Sequence, residues 1–411
     1  MDKLLRSHAD AIVSDAIAAV KPDAAVRRAL KGKNFPGRVV LVAAGKAAWQ
    51  MAKAAHDCLG DTIHQGIVVT KYDHVMGPIG NFTLCEAGHP VPDENSFAGT
   101  EKALELVKGL TEQDTVLFLL SGGGSALFEK PLISGDQLQD ITSQLLACGA
   151  DIVEINTIRK RLSAVKGGRF AEFCLPAQVF SIVLSDILGD PLDMIASGPA
   201  CPDSSTCRDA LAIAEKYQLR LSEEALALLR QETPKILSNV TTLITGSVRE
   251  LCAAAAKSCA ALGYETVVLT DMLNCQAREA GSFLASILRT HADNGKKIAF
   301  IAGGETVVKL TGKGMGGRNQ ELALAAAPGI AGLPGAAVFS VGSDGTDGPT
   351  DAAGGYVDYE TVDTLRRHGI SIPAVLQEND AYHALQRCDG LIFTGPTGTN
   401  VNDVAVALLN G

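Results

Sequence analysis

The sequence predicts an α/β protein built from two domains, and three observations carry that expectation. Short apolar runs recur along the chain, each followed by a glycine-bearing turn and a helical stretch, the strand–turn–helix pattern of parallel sheets. Glycine- and hydroxyl-rich loops stand at the ends of these runs, as in Ser121-Gly122-Gly123-Gly124-Ser125-Ala126. The length, 411 residues with 46% apolar content, exceeds one ordinary core and is ample for two. The boundary is expected near residues 238–242, giving an N-terminal domain over 1–238 and a C-terminal domain over 239–411.

Residues 3–31 are apolar at helical spacing. Residues 38–44 form a short strand, Gly45-Lys46 a turn, and 47–59 a helix. A strand follows at 66–70, then an irregular stretch containing Gly88-His89-Pro90, then a helix over 96–108. Strand 115–120 runs into the Ser121–Ala126 loop. Asn156 is a helix N-cap candidate and Gly167-Gly168 a helix end. Strand 178–184 leads into Ser185-Asp186-Ile187-Leu188-Gly189-Asp190-Pro191, and residues 208–231 are helical. A fresh unit then begins: strand 242–245, helix 248–262, strand 265–270, helix 276–292 and strand 298–302. Strand-like alternation continues through Leu310, and a helix begins at Asn319. The uncharged run 322–342 resembles a membrane span, but Pro328-Gly329 and Pro334-Gly335 divide it into helix, loop and the strand 336–341. A strand at 391–394 and a final apolar helix after Asp403 complete the reading.

Composition narrows the function. A net charge of −10 argues against nucleic acid or an anionic membrane as the main partner, while leaving room for a local basic pocket that takes an anion. Ten cysteines are scattered without a Cys-x-x-Cys, which fits reduced thiols in a cytoplasmic protein. The start, Met1-Asp2-Lys3-Leu4-Leu5-Arg6, carries no signal-type apolar core. A homo-oligomer is compatible with all of this.

The chemistry concentrates in loops. From Gly312 to Gly317 four glycines fall in six residues, and Arg318 stands where a helix begins. Glycines allow close backbone approach, a helix N-terminus favours an anion, and the guanidinium fork matches phosphate or carboxylate. The same stretch also suits a plain hairpin loop. It is not a phosphate-binding P-loop, because Arg318-Asn319 replace the Lys-Ser/Thr pair. Lys46 lies in a turn where the helix dipole disfavours a cation, so an anion or open solvent must hold it there. The Ser121–Ala126 loop ends a strand where doubly wound folds bind phosphates, yet Leu127 occupies the place of the last glycine of a dinucleotide fingerprint. Five cations lie between Arg159 and Arg169, with Lys166 abutting the paired glycines. Asp186 and Asp190 are spaced to hold Mg²⁺ or take a proton, or simply to form a turn. The loop Gly342-Ser343-Asp344-Gly345-Thr346-Asp347-Gly348-Pro349-Thr350-Asp351 carries three carboxylates without the spacing of an EF-hand.

Taken together, these loops resemble the class II glycerate 2-kinase family, whose C-terminal part is called the MOFRL domain. The matching segments are Ala44-Gly45-Lys46, Ser121 to Leu127, Arg159 to Gly168, Ser185-Asp186 with Gly189-Asp190-Pro191, Ala196 to Pro199, Gly303-Gly304-Glu305-Thr306, Gly316 to Glu321, Gly342 to Gly348 and Gly398 to Asp403. They run in order over nearly the whole chain. The resemblance implies a Rossmann-like N-terminal domain and a mixed-sheet C-terminal one, with the active site in the cleft between them. It implies phosphorylation of D-glycerate at its 2-hydroxyl, with ATP and Mg²⁺ as cofactors and D-glycerate and ATP as small-molecule partners. It also implies catalytic roles for Lys46 and Arg318. On this reading Asp186 accepts the hydroxyl proton. Mg²⁺ is held by Asp190 or by the Asp344/Asp347 loop. The binding residues are Ser121, Gly122, Gly123, Gly124, Ser125, Lys166, Glu305, Gly316, Gly317, Asn319, Thr399 and Asn400. Two alternatives stand beside it: hydroxypyruvate reductase, a name some members carry although no Gly-x-Gly-x-x-Gly unit is found here, and a non-catalytic sugar-acid or nucleotide binder.

Overall fold

A computed structural model describes residues 1–411, which divide into two α/β units. The first comprises Pro22–Ser185 and Asp190–Thr245. Its six-stranded sheet contains β1 (Val39–Ala44), β2 (Ile63–Lys71), β3 (Thr83–Ala87), β4 (Thr115–Leu120), β5 (Gln178–Leu184) and β6 (Val240–Gly246), in the order β3-β2-β1-β4-β5-β6. The pairs among β1 to β5 are all parallel. This is the strand order of a doubly wound sheet. Every residue of β1 and β4 is buried, as expected for strands covered on both faces. One face packs Leu41, Leu117 and Ile182 against Met51 and Ala55 of the helix Ala48–Leu59. Elsewhere in the unit Phe118, Phe128 and Phe170 form a tight aromatic trio, with ring centroids 4.7 to 5.5 Å apart. β3 was not anticipated; it lies inside the stretch expected to be irregular. Its middle residues are only partly buried, so the apolar signal is weak.

The second unit comprises Met1–Lys21, Asp186–Gly189 and Gly246–Gly411. Its sheet contains β7 (Glu265–Leu273), β8 (Ile298–Gly304), β9 (Ala336–Gly342), β10 (Gly354–Asp358), β11 (Leu391–Ile392) and β12 (Asp403–Leu409), in the order β11-β10-β9-β12-β8-β7. Only β7 and β8 pair in parallel, so the sheet is mixed.

Three expectations need correction. The end of the chain is a central strand, β12, rather than a helix. Seven consecutive buried residues look alike in either element, and what decides is the slot between β8 and β9 that β12 fills. The alternation after β8 does not continue the strand: residues 305–310 leave the sheet, and only Val307 makes a bridge, to Gln276. The division also differs from the 238/239 boundary. β6 belongs to the first sheet, and the helix Lys3–Val20 packs its stripe of Leu5, Ile12, Val13 and Ile17 on Phe339, Val341 and Val406 of the second. A helical period shows that a face must be covered, but not by which sheet.

β12 determines one geometric fact on which the site depends. Its first residue, Asp403, pairs with Gly304 at the end of β8 and with Gly342 at the end of β9. The loops that follow β8 and β9 therefore open at the same edge, with Asp403 between them.

Candidate active site

In the first unit, the sheet reverses its winding between β1 and β4, whose last residues Ala44 and Leu120 are in register. Ligands of open α/β sheets bind outside the carboxyl ends of the strands at such a switch point. Here the two loops are knitted together. Lys46 N–H donates to the Gly122 carbonyl at 2.9 Å, and Ala47 N–H donates to Ser121 Oγ at 3.0 Å. Gly45 has φ +123°, and a Cβ there would lie 2.2 Å from Ser121 Oγ, so only glycine allows the contact. The Lys46 stem passes Gly123, whose absent Cβ would meet Lys46 Cγ at 3.1 Å and His89 Cδ2 at 3.0 Å. The Lys46 ammonium has no hydrogen-bond or ion-pair partner in the chain. Ser121 is buried and its hydroxyl is used to join the loops, so it positions rather than contacts. Gly122, Gly123 and Ser125 remain partly accessible.

Lys166 departs from expectation. It is fully buried, and its ammonium donates to Ser125 O at 2.9 Å and Phe128 O at 3.1 Å while pairing with Glu129 at 3.1 Å. Burial pushes its pKa down to about 8, against the opposing charge of Glu129. It braces the glycine loop from beneath, with its ammonium spent on internal partners. Arg159 shares this brace, donating to Ser125 O and Glu129.

In the second unit, the helix Arg318–Ile330 begins beside the loop after β9. Asp347 caps it: Oδ1 accepts from Asn319 N at 3.1 Å and Asn319 Nδ2 at 3.2 Å, and Oδ2 accepts from Gln320 N at 2.9 Å. Gly317 must be glycine, since a Cβ would lie 2.2 Å from Asp347 Cγ. Burial pushes the Asp347 carboxyl up to about 6 despite these donors. Asn319 is buried and links Asp347 to Ser340 through its side-chain amide. The glycine run follows the same logic. Gly312 and Gly314 press against the backbone of Glu378 and the side chain of Asp380, where a Cβ would sit 2.3 and 2.4 Å away. Their smallness lets this segment approach residues 378–380 closely, and both also line the cavity beside Arg318.

Arg318 is held by two carboxylates. Nε and Nη2 form a fork onto Asp403 at 2.5 and 3.0 Å, and Nη1 meets Glu305 at 3.0 Å. Burial opposes the guanidinium charge, but Asp403 overrides it and raises the pKa further. Glu305 also accepts from Asn402 Nδ2, which donates in addition to the backbone carbonyl of Asp186. Asp186 thus belongs to the unit that carries Arg318. Beside Arg318 lies a cavity of about 920 Å³, with Val307, Val308 and Leu310 as an apolar wall and Gly316, Asp344 and Thr346 opposite. Thr399 is buried and donates to Val20 O, so it holds the helix Lys3–Val20 rather than a substrate, whereas Asn400 is exposed.

The three carboxylates expected to hold a metal differ in what they have free. Asp347 has both oxygens committed to the helix cap and does not fit. Asp344 receives Thr346 N–H on Oδ1 and keeps Oδ2 uncommitted. Asp190, at φ +52°, has a buried Oδ1 without a donor, as a cation ligand would. Asp190 and Asp344 fall in different units, and no three acidic, histidine or cysteine side chains form a metal-binding group. Asp403 is not among the residues the sequence singled out. Asp403 sat inside a quoted motif, and its pairing with Arg318 spans 85 residues.

Fold and loops define a two-domain α/β protein with anion-directed loops at its sheet ends. Residues 8–230 match a family described as a domain of unknown function, DUF4147, and residues 298–403 match the MOFRL family. A D-glycerate 2-kinase of Thermotoga maritima is 53% identical, with 98% of each chain covered. A glycerate 2-kinase of Pyrococcus horikoshii is 41% identical over 97% of this chain and 96% of its own. A protein of Agrobacterium vitis named putative hydroxypyruvate reductase is 40% identical over 97% and 93%. The crystal structure of a Thermotoga maritima glycerate kinase superposes with a TM-score of 0.96 at 53% identity, covering both chains fully. The chain belongs to the class II glycerate kinase family.

Proposed function

We propose that this chain transfers the γ-phosphoryl group of ATP to the 2-hydroxyl of D-glycerate, giving 2-phospho-D-glycerate and ADP. Family membership supports the reaction, and one observation supports the site. Lys46 holds an unpaired ammonium at the switch point of a doubly wound sheet, in a chain of net charge −10. In phosphoryl transfer the protein mainly positions the reactants and stabilises charge. The 2-oxygen attacks phosphorus, the bridging bond to the β-phosphate breaks, and the hydroxyl proton passes to a base, which we assign to Asp186. Lys46 and Arg318 would neutralise charge on the transferring group. Asp403 and Glu305 hold the Arg318 fork in one orientation beforehand. The cavity beside Arg318 suits a nucleotide in size and in its apolar wall. Magnesium on the nucleotide would neutralise phosphate charge, and Asp190 and Asp344, which keep free oxygens, are the residues we assign to it.

The test is ADP release from ATP with and without D-glycerate, followed by ³¹P NMR of the product. Glycerate-dependent ADP with phosphate on the 2-oxygen is expected. Oxidation of NADH by hydroxypyruvate with no ADP formed would overturn the proposal in favour of a reductase.

A further inference from the structure

The Lys46 loop has neighbours that the reaction scheme has not used. β2 ends at Lys71, which is in register with Ala87 at the end of β3. Tyr72 N–H continues that pairing onto the Ala87 carbonyl. His89 follows two residues later, and its ring rests against Gly123 beside the Lys46 stem, with Nε2 3.2 Å and Cδ2 3.0 Å from the Cβ that Gly123 lacks. Thr70 Oγ1 donates to the Lys46 carbonyl at 3.3 Å, tying the end of β2 to the same turn. Three strand ends thus bring Lys46, Lys71 and His89 together over the glycine loop.

No carboxylate neutralises this group. The Lys71 ammonium and the His89 ring have no side-chain partner, and neither has that of Lys46. The acids that flank these strand ends in sequence make other hydrogen bonds. Glu86 accepts the N–H groups of His74 and Val75, and Asp93 accepts from Tyr72 OH and caps its helix through Ser96. The excess of positive charge registers on His89. Burial first, then Lys46, Lys71 and His74, hold its imidazole pKa below the usual value. In a chain that is acidic overall, a half-buried cationic pocket with no internal counterion is completed by an anionic ligand.

We propose that Lys71 and His89 form the subsite that grips the carboxylate of the acid substrate, and that this grip selects the hydroxyl to be phosphorylated. The inference rests on the kinase reading above. A cluster of two lysines and an imidazole offers the donors that a small carboxylate needs, whereas the large cavity with an apolar wall lies beside Arg318. The chemistry of the acid then sets the outcome. Its 2-hydroxyl is on the carbon bonded to the carboxylate, while the 3-hydroxyl is one carbon further away. A carboxylate held by Lys71 and His89 therefore presents the 2-oxygen beside Lys46. In the transfer the 2-oxygen bonds to phosphorus, ADP leaves, and the proton departs to a base; Lys71 and His89 bind and orient without taking part.

The test uses the full chain and the variants Lys71→Ala, Lys71→Arg and His89→Gln, with circular dichroism melts to confirm folding. Calorimetric titration with D-glycerate, in the absence of nucleotide, is compared with titration with ATP. Lys71→Ala is expected to weaken D-glycerate binding about 10- to 100-fold, the range for one charge-assisted hydrogen bond. The KM for ATP should change less than about twofold. Lys71→Arg should recover most of the loss, and His89→Gln should weaken D-glycerate about 3- to 10-fold. Glycolate, which keeps the carboxylate and the adjacent hydroxyl, should compete with D-glycerate, and glycerol should not. Unchanged D-glycerate affinity in Lys71→Ala, or a selective loss of ATP affinity, would overturn the subsite. Should Lys71→Ala fail to fold, Lys71→Arg and His89→Gln carry the same comparison. If the wild-type chain binds D-glycerate through Lys71 yet forms no ADP, the subsite stands and the kinase reading falls.

Discussion

Asp403→Asn is the sharpest perturbation of the arrangement around Arg318. The wild-type carboxylate receives both Nε and Nη2 of Arg318, at 2.5 and 3.0 Å. An asparagine retains one acceptor and turns an amide N–H₂ toward the guanidinium, so one hydrogen bond is lost and the other is weakened. Two hydrogen bonds to charged groups amount to about 3–6 kcal/mol when sheltered. The Arg318 side chain is 34% exposed, and solvent screening removes roughly half of that sum. Glu305, whose side chain is 47% exposed, would then be the one carboxylate left to Arg318. A net loss of about 2 kcal/mol in holding the fork corresponds to about 30-fold in kcat, if orientation is needed only in the transition state. The assay is steady-state ADP release with D-glycerate for wild type, Asp403→Asn, Arg318→Ala and the double variant. The double variant should be no slower than Arg318→Ala, because Asp403 acts through Arg318. A kcat within threefold of wild type for Asp403→Asn, or additive losses in the double variant, would refute the reasoning.

The remaining predictions concern the cap, the brace and the free lysine. Asp347→Ala strips the acceptor from two buried helix N–H groups and from Asn319 Nδ2, and should cost about 3–5 kcal/mol, seen as a lower thermal midpoint. The native Asp347 carboxyl is raised from 3.8 to about 6, so the native state binds more protons than the unfolded chain between those values. This residue therefore makes the fold more stable as pH falls from about 6 to about 4. The melting difference between wild type and Asp347→Asn should shift in favour of wild type over that window, and a pH-independent difference would contradict the assignment. Lys166→Met leaves Glu129 with Arg159 alone, strips the Lys166 donor from the Phe128 carbonyl and leaves the Ser125 carbonyl with Arg159 only, so denaturant melts should show a loss of about 3–5 kcal/mol. Lys46→Met removes a cation with no internal partner; it should leave the melt within about 1 kcal/mol of wild type and lower kcat on the order of a thousandfold.

Much of the site was legible before the fold was known, for a physical reason. Lys46 and Arg318 announce themselves locally, as cations beside glycines at the junction of strand and helix, and junction geometry depends on near neighbours in sequence. The same local signal stands at Lys166, Asn319 and Thr399. Their chemistry suits a ligand, yet all three are buried and spend their hydrogen bonds inside the fold. Burial is a property of packing and leaves no mark on the residue itself. The glycines Gly312 and Gly314 make the same point: a small residue signals a close approach but does not say what approaches.

By itself the sequence determined the class and most of the elements, β3 and β12 excepted. Apolar runs with glycine turns dictate α/β structure, because a strand buried on both faces and a helix buried on one have distinct patterns. The loops bearing Lys46, Ser121–Ala126, Arg318 and Asp344 could be placed at strand ends on the same basis. Only the tertiary structure decided which elements share a sheet. It inserted β12 between β8 and β9, brought Asp403 onto Arg318 across 85 residues, assigned the first helix to the second unit, put Lys71 in register with Ala87 and set His89 against Gly123. These are long-range pairings, in which each partner carries the same local pattern it would show against many others. The competition for slots and counterions is settled only when the whole core closes.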